Sequence, residues 1–151
     1  MKQESRDFSR GRFNKEVYLD RYLILMADVL GHGIKAYEVA KNIKSFFLSY
    51  EYKNLEDFYI KLDTSIKGTR GCALFLAILS EFELEYINVG NIRGWLINKN
   101  NIKKLMSSPG VVGRHQGYYK IYKESAIMHD AFFSFMLGWN FLKIFSKCFN
   151  L

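Results

Sequence analysis

The chain has 151 residues, 49% of them hydrophobic, the size of one globular domain able to bury about 68–70% of its unfolded surface, which excludes a disordered class. Its formal charge is +7, no apolar run nears the roughly 18 residues that span a bilayer, and the leading "MKQESRDFSRGRFNKE" has no apolar signal core, so membrane insertion and secretion are not expected. Cys72 and Cys148 stand alone, without disulfide-framework or zinc-type spacing, and fit a reducing, cytoplasmic setting.

Residues 1–21 read as an N-terminal segment that is at most partly ordered, and residues 22–151 as a single domain. "YLILMA" (22–27) is a short continuous apolar run ended by Asp28 and glycines, which predicts a strand buried on both faces. From Ile34, the apolar positions Ala36, Val39, Ala40, Ile43, Phe46, Phe47 and Tyr50 recur at three- and four-residue steps and predict a helix. A second helix is expected over residues 55–67, with Asn54 as its N-cap and Gly68 at its end. "GCALFLAILS" and "ELEYINVG" read as paired strands around a turn at residues 80–82, and "RGWLINK" and "NIKKLM" as a second hairpin around Asn100, together an antiparallel meander. Beyond Pro109 and the loop "GVVGRHQG", "YYKIYKE" and "AFFSFML" are strand-like, and the tail "FLKIFSKCFNL" is read as a short helix. One strand, two helices and then at least five strands define an α+β layered architecture with helices segregated on a mainly antiparallel sheet. The 10 Tyr, 13 Phe and 2 Trp supply large aromatic volume for a core or a surface platform.

The charge is uneven. No acidic residue lies between Glu85 and Glu124, whereas Arg93, Lys99, Lys103, Lys104, Arg114, Lys120 and Lys123 do. Such a segment can attract a phosphoprotein, a nucleic acid or an anionic surface, although strand alternation scatters its charges over both faces.

The stretch "ADVLGHGIKA" (27–36) places a carboxylate at a strand end, before a flexible glycine turn and a helix N-terminus. Oxygen donors of this kind suit Mg²⁺ or Mn²⁺, and the glycines let backbone approach a metal or a phosphate. A purely conformational Asp-Gly turn, with His32 as a hydrogen-bonded turn residue, explains the same residues equally well. Nucleotide-binding fingerprints are absent, since neither GxxxxGK[ST] nor a GxGxxG after the first strand occurs.

This stretch resembles the signature of the bacterial PPM-type serine/threonine phosphatases, in their SpoIIE and RsbX-like branch. "TRGCALFLAIL" (69–79), "LEYINVGNIRGWLI" (84–97) and "SSPGVVGR" (107–114) resemble further family segments in the same order. The resemblance implies an α-β-β-α sandwich with two Mn²⁺ or Mg²⁺ ions in a cleft and a metal-activated water attacking a phosphoserine or phosphothreonine. It assigns metal binding to Asp28 and to the main-chain carbonyl of Val29, and a phosphate or metal loop to Gly31, His32 and Gly33. The implied partner is a phosphorylated regulatory protein, such as an anti-sigma factor antagonist in bacterial partner switching and stress signalling.

The family's Ser-Asp-Gly, which carries a late metal-binding aspartate, is represented here by Met136, Leu137 and Gly138, and the chain ends before the family's last helices, so a C-terminally truncated domain is expected. Asp130, about 23 Å from Leu137 in an extended strand, is read as a turn residue and not as a substitute ligand. Beside the phosphatase reading stand a catalytically impaired relative acting as a protein-binding module and, with no motif to support it, a basic nucleic-acid-binding domain.

Overall fold

The computed structural model describes residues 20–98, 101–114, 118–126, 132–136 and 143–150. The first strand, β1 (Asp20–Val29), runs two residues further at each end than the apolar stretch alone predicts. It is followed by helix α1 (Ile34–Ser49) and helix α2 (Leu55–Ser65). Then come β2 (Cys72–Leu79), β3 (Glu83–Val89), β4 (Arg93–Asn98), β5 (Asn101–Lys104), β6 (Ile121–Ser125), β7 (Phe132–Met136) and β8 (Lys143–Asn150).

Both helices form where apolar spacing and capping require them. Ala36, Val39, Ile43 and Phe47 are the buried face of α1, and Leu55, Phe58, Tyr59 and Leu62 that of α2. The Asn54 side chain accepts the Asp57 N–H at 2.8 Å, closing the first turn of α2 as an N-cap should. Phe58 joins the two helices edge-on, its ring centroid 5.2 Å from that of Phe46 and 4.9 Å from that of Tyr50.

The strands form two sheets. One has five strands in the order β6-β3-β2-β1-β8, and the other three in the order β5-β4-β7; every strand pair is antiparallel. The helices pack on one face of the larger sheet, where Leu23, Leu25, Ala27, Leu74 and Leu76 meet Val39, Ile43, Phe58 and Leu62. Alternation sends Met26, Phe75, Ala77, Leu84 and Tyr86 to the opposite face, where they meet Ile92, Leu96 and Leu105 from the region of the smaller sheet. Central strand β2 is therefore covered on both sides and is buried at all its positions. Tyr86 fills much of the inter-sheet layer between Phe75 and Tyr122, at centroid distances of 5.6 and 5.2 Å. The described residues thus form the α-β-β part of the expected sandwich, and no helix among them covers the outer face of the smaller sheet.

Two expectations are corrected. The two hairpins do not form one meander, because β3 and β4 belong to different sheets. Gly90, at φ 98°, turns the chain out of β3, and the Asn88 side-chain amide donates to the Ile92 carbonyl at 3.0 Å across that crossover. The tail is not a helix: β8 pairs with β1 from Asp20↔Asn150 to Ala27↔Lys143. Without it that edge of β1 would present unpaired N–H and C=O groups along an otherwise apolar sheet, and strand pairing satisfies them.

The expectations for residues 1–19, Lys99, Asn100, Asp130 and Leu137 lie outside the described residues. Among the described residues no helix is long and apolar enough to cross a membrane, and Cys72 is free and buried.

Candidate functional site around Asp28

The aspartate singled out in the sequence is the penultimate residue of β1. Its register partner is Ala73, and a Cβ on Gly90 would lie 2.7 Å from that of Ala73. Small residues thus follow Asp28 across the sheet. Strand alternation puts its side chain on the same face as Met26, between the sheets, where it is only 4% exposed. Oδ1 of Asp28 has no hydrogen-bond partner among the described residues. Burial pushes this carboxyl above its ordinary value, because the ionised form loses hydration.

Unpaired carboxylate oxygen is costly to bury and is a natural cation ligand. Asp28 therefore fits the role of one metal ligand. The rest of a two-ion centre is a different matter: among the described residues no group of three or more His, Cys, Asp or Glu could hold a metal ion.

The turn after β1 is held by the Leu30 N–H, which donates to the Gly71 carbonyl at 3.1 Å. Gly31 and Gly33 take φ of 86° and 82°, a left-handed conformation that side chains disfavour. Absence of a side chain on Gly31 has a second use: a Cβ there would collide with Nη1 of Arg70. Gly33 is the N-cap of α1, with no side-chain cap bond, and no acidic residue stands in the first helical turn. Backbone N–H groups at this helix start are consequently open to an anion. His32 is exposed, and the Val29 side chain belongs to the helix-side core, so only its main chain could serve the site.

The loop before β6 closes the same end of the larger sheet. Cys72 and Val112 exchange backbone hydrogen bonds of 3.0 and 2.9 Å, and the Gly90 N–H donates to Ser108 at 2.9 Å. The Gly113 N–H donates to Asp63 Oδ1 of α2 at 2.7 Å. Asn88 and Ser108 are buried there, and Asn88 Oδ1 and Ser108 Oγ also lack partners among the described residues. Sequence reading did not single them out, since a polar residue in a strand and a serine before proline carry no signal of burial.

The basic segment is not one surface. Lys103 pairs with Glu124, and Lys123 lies 3.2 Å from Glu85 and 3.6 Å from Glu83. Lys123 meets its acids because β6 lies beside β3, and Lys103 of β5 meets Glu124 of β6 from the other sheet.

No protein-family model and no curated protein matches the chain. Solved structures do match. One, from the bacterial stressosome, described as a modular system adapted to control secondary messenger signalling, is 24% identical with a TM-score of 0.65, over 77% of this chain and 62% of that one. RsbX in complex with magnesium is 22% identical with a TM-score of 0.61, over 74% of this chain and 56% of that one. The PP2C phosphatase domain of SpoIIE from Bacillus subtilis, with a fragment of its regulatory domain, is 14% identical with a TM-score of 0.56, over 71% of this chain and 34% of that one. This chain thus spans less than two thirds of the first two structures. Likeness at these identities is likeness of fold, and the fold is that of the PPM-type phosphatases.

Proposed function

We propose that the chain is a serine/threonine phosphoprotein phosphatase domain of the SpoIIE/RsbX type, acting in the cytoplasm on a phosphorylated regulatory protein of bacterial partner switching, such as an anti-sigma factor antagonist. One observation carries the reading: the buried carboxylate of Asp28 between the two sheets, whose Oδ1 has no partner among the described residues. Asp28, with the main-chain carbonyl of Val29, would hold Mn²⁺ or Mg²⁺. A bound divalent ion supplies a water of lowered pKa and neutralises phosphoryl charge. The turn at Gly31, His32 and Gly33 would take the phosphoryl group: the space a Cβ would fill at Gly33 is open, and the positive end of α1 begins there. Burial at the inter-sheet end keeps the dielectric low, so each of these electrostatic contacts is stronger than it would be in water.

The test combines Mn²⁺ calorimetry with hydrolysis of an aryl phosphate, for the wild type and Asp28→Ala. Metal-dependent turnover that falls by about two orders of magnitude or more in the variant supports the phosphatase. Turnover that ignores Asp28 or the metal refutes it. The presence of a single carboxylate at the described site favours a second reading, a phosphoprotein-binding module without turnover, and Mn²⁺ binding with no hydrolysis in the wild type would select it. The lysine pairs with Glu83, Glu85 and Glu124 weaken a nucleic-acid reading, because they neutralise part of the charge that would steer a polyanion.

A further inference from the structure

Three cations distant in sequence converge on one open groove of about 420 Å³ beside the Asp28 turn. Lys35 comes from the first turn of α1, Arg70 from the connection between α2 and β2, and Arg114 from the loop before β6. Glu38, Asn42 and Thr69 also line it, so three positive side chains face one negative one. Lys35, Arg70 and Arg114 are exposed, and among the described residues none of them has an ion pair.

Both arginines are seated by glycines. A side chain on Gly31 would occupy the place of the Arg70 guanidinium, and a Cβ on Gly71 would lie 3.4 Å from Cγ of Arg114. The Cys72 and Val112 hydrogen bonds hold the Arg114 loop against β2. The charges are therefore presented by anchored backbone.

We infer that this groove docks an acidic segment of the protein partner, flanking the residue that enters the Asp28 site; the inference rests on the phosphoprotein reading and adds where such a partner is gripped. Charge complementarity selects an anionic occupant. Among the described residues the groove lining carries no aromatic side chain, whereas single-stranded nucleic acid is held by aromatic stacking as well as by charge. Asn42 offers a polar side chain suited to a peptide backbone, and Glu38 disfavours a uniform polyanion. Arg70, in contact with the turn at Gly31, joins the groove to the site.

The experiment uses the full chain and two labelled peptides, one rich in glutamate and its glutamine counterpart, with binding followed by fluorescence anisotropy. Wild type should prefer the acidic peptide, and that preference should shrink as salt is raised. Lys35→Glu combined with Arg114→Glu should weaken acidic-peptide binding by about ten-fold or more, and Lys35→Ala combined with Arg114→Ala should act in the same direction to a smaller extent. Asp28→Ala should keep the preference. Equal affinity for the two peptides, an affinity unmoved by the paired substitutions, or tighter binding of a random oligonucleotide lost in the same variants would overturn the inference. Hydrolysis of the aryl phosphate, which has no flanking segment, reports the Asp28 site alone. Its failure would unseat the phosphatase and leave the peptide result standing.

Discussion

Replacement of Asp28 by Asn keeps the volume of the side chain while removing its charge, and the structure dictates an unusual direction for the effect. Most buried polar substitutions destabilise, but here the native carboxylate is 4% exposed, with Oδ1 unpartnered among the described residues. Leaving a buried polar group unsatisfied costs about 1–3 kcal/mol, and more when it is charged; Asp28→Asn keeps the neutral polar part of that cost and removes the part due to charge. With about 2 kcal/mol recovered, the cation-free variant should melt about 4–8 °C above wild type for a domain of this size. The pH dependence has a definite sign. Because burial raises the folded-state pKa of Asp28, its carboxyl is harmless below the unfolded value of about 3.9, and stability is lost as pH rises through the folded value. The advantage of the variant should accordingly be largest near neutral pH and shrink towards pH of about 4. Divalent ions act oppositely: at a hundred times its dissociation constant a bound ion stabilises wild type by about 2.7 kcal/mol, which would cancel or reverse the gain. Thermal unfolding followed by circular dichroism, in chelator and in excess Mn²⁺ or Mg²⁺, reads all of this. A variant no more stable than wild type in chelator at neutral pH, or a gain indifferent to pH, would refute the reasoning.

Other outcomes follow from single contacts. Gly71→Ala forces a side chain onto a φ of 74°, 2.6 Å from Val111 Cγ1 and against the Val112 carbonyl; chemical denaturation should show a loss of about 2–4 kcal/mol. Asn54→Ala removes the cap bond to Asp57 and should cost about 1 kcal/mol by the same measurement. The Cys72 thiol is pushed up to about 12, first by burial and then by Asp28 and Asp63. In a Cys148→Ser background it should resist a thiol reagent at about pH 8 until denaturant is added, since the thiolate is the reactive form; rapid labelling of the native protein would contradict its burial.

Much of the fold was legible because the signals for it are local. The three- and four-residue steps from Ala36 to Phe47 describe one face of α1, Asn54 caps α2, and the apolar run of β1 announces a strand covered on both sides. Asp28 was legible for the same reason: a carboxylate directly after such a run has to sit at the end of a buried strand. The change of sheet at Gly90 was not, since a glycine turn looks alike whether the next strand continues a sheet or crosses to another. Nor was β8, because Ile144, Phe145, Cys148 and Phe149 recur at helical spacing as well as within a short strand. The open edge of β1 decided between them.

Sequence alone indicated both helices and the strands up to β7 in their order, and singled out Asp28 as a candidate cation ligand, because apolar period, capping and glycine placement act over a few neighbouring residues. Tertiary structure decided which face of the sheet Asp28 occupies, with Oδ1 unpartnered among the described residues, that Lys103 and Lys123 meet acids, and that Lys35, Arg70 and Arg114 share one groove. These are relations between segments far apart in the chain. They exist only once sheet order and register bring those segments within a few ångströms, where burial and Coulomb interactions act.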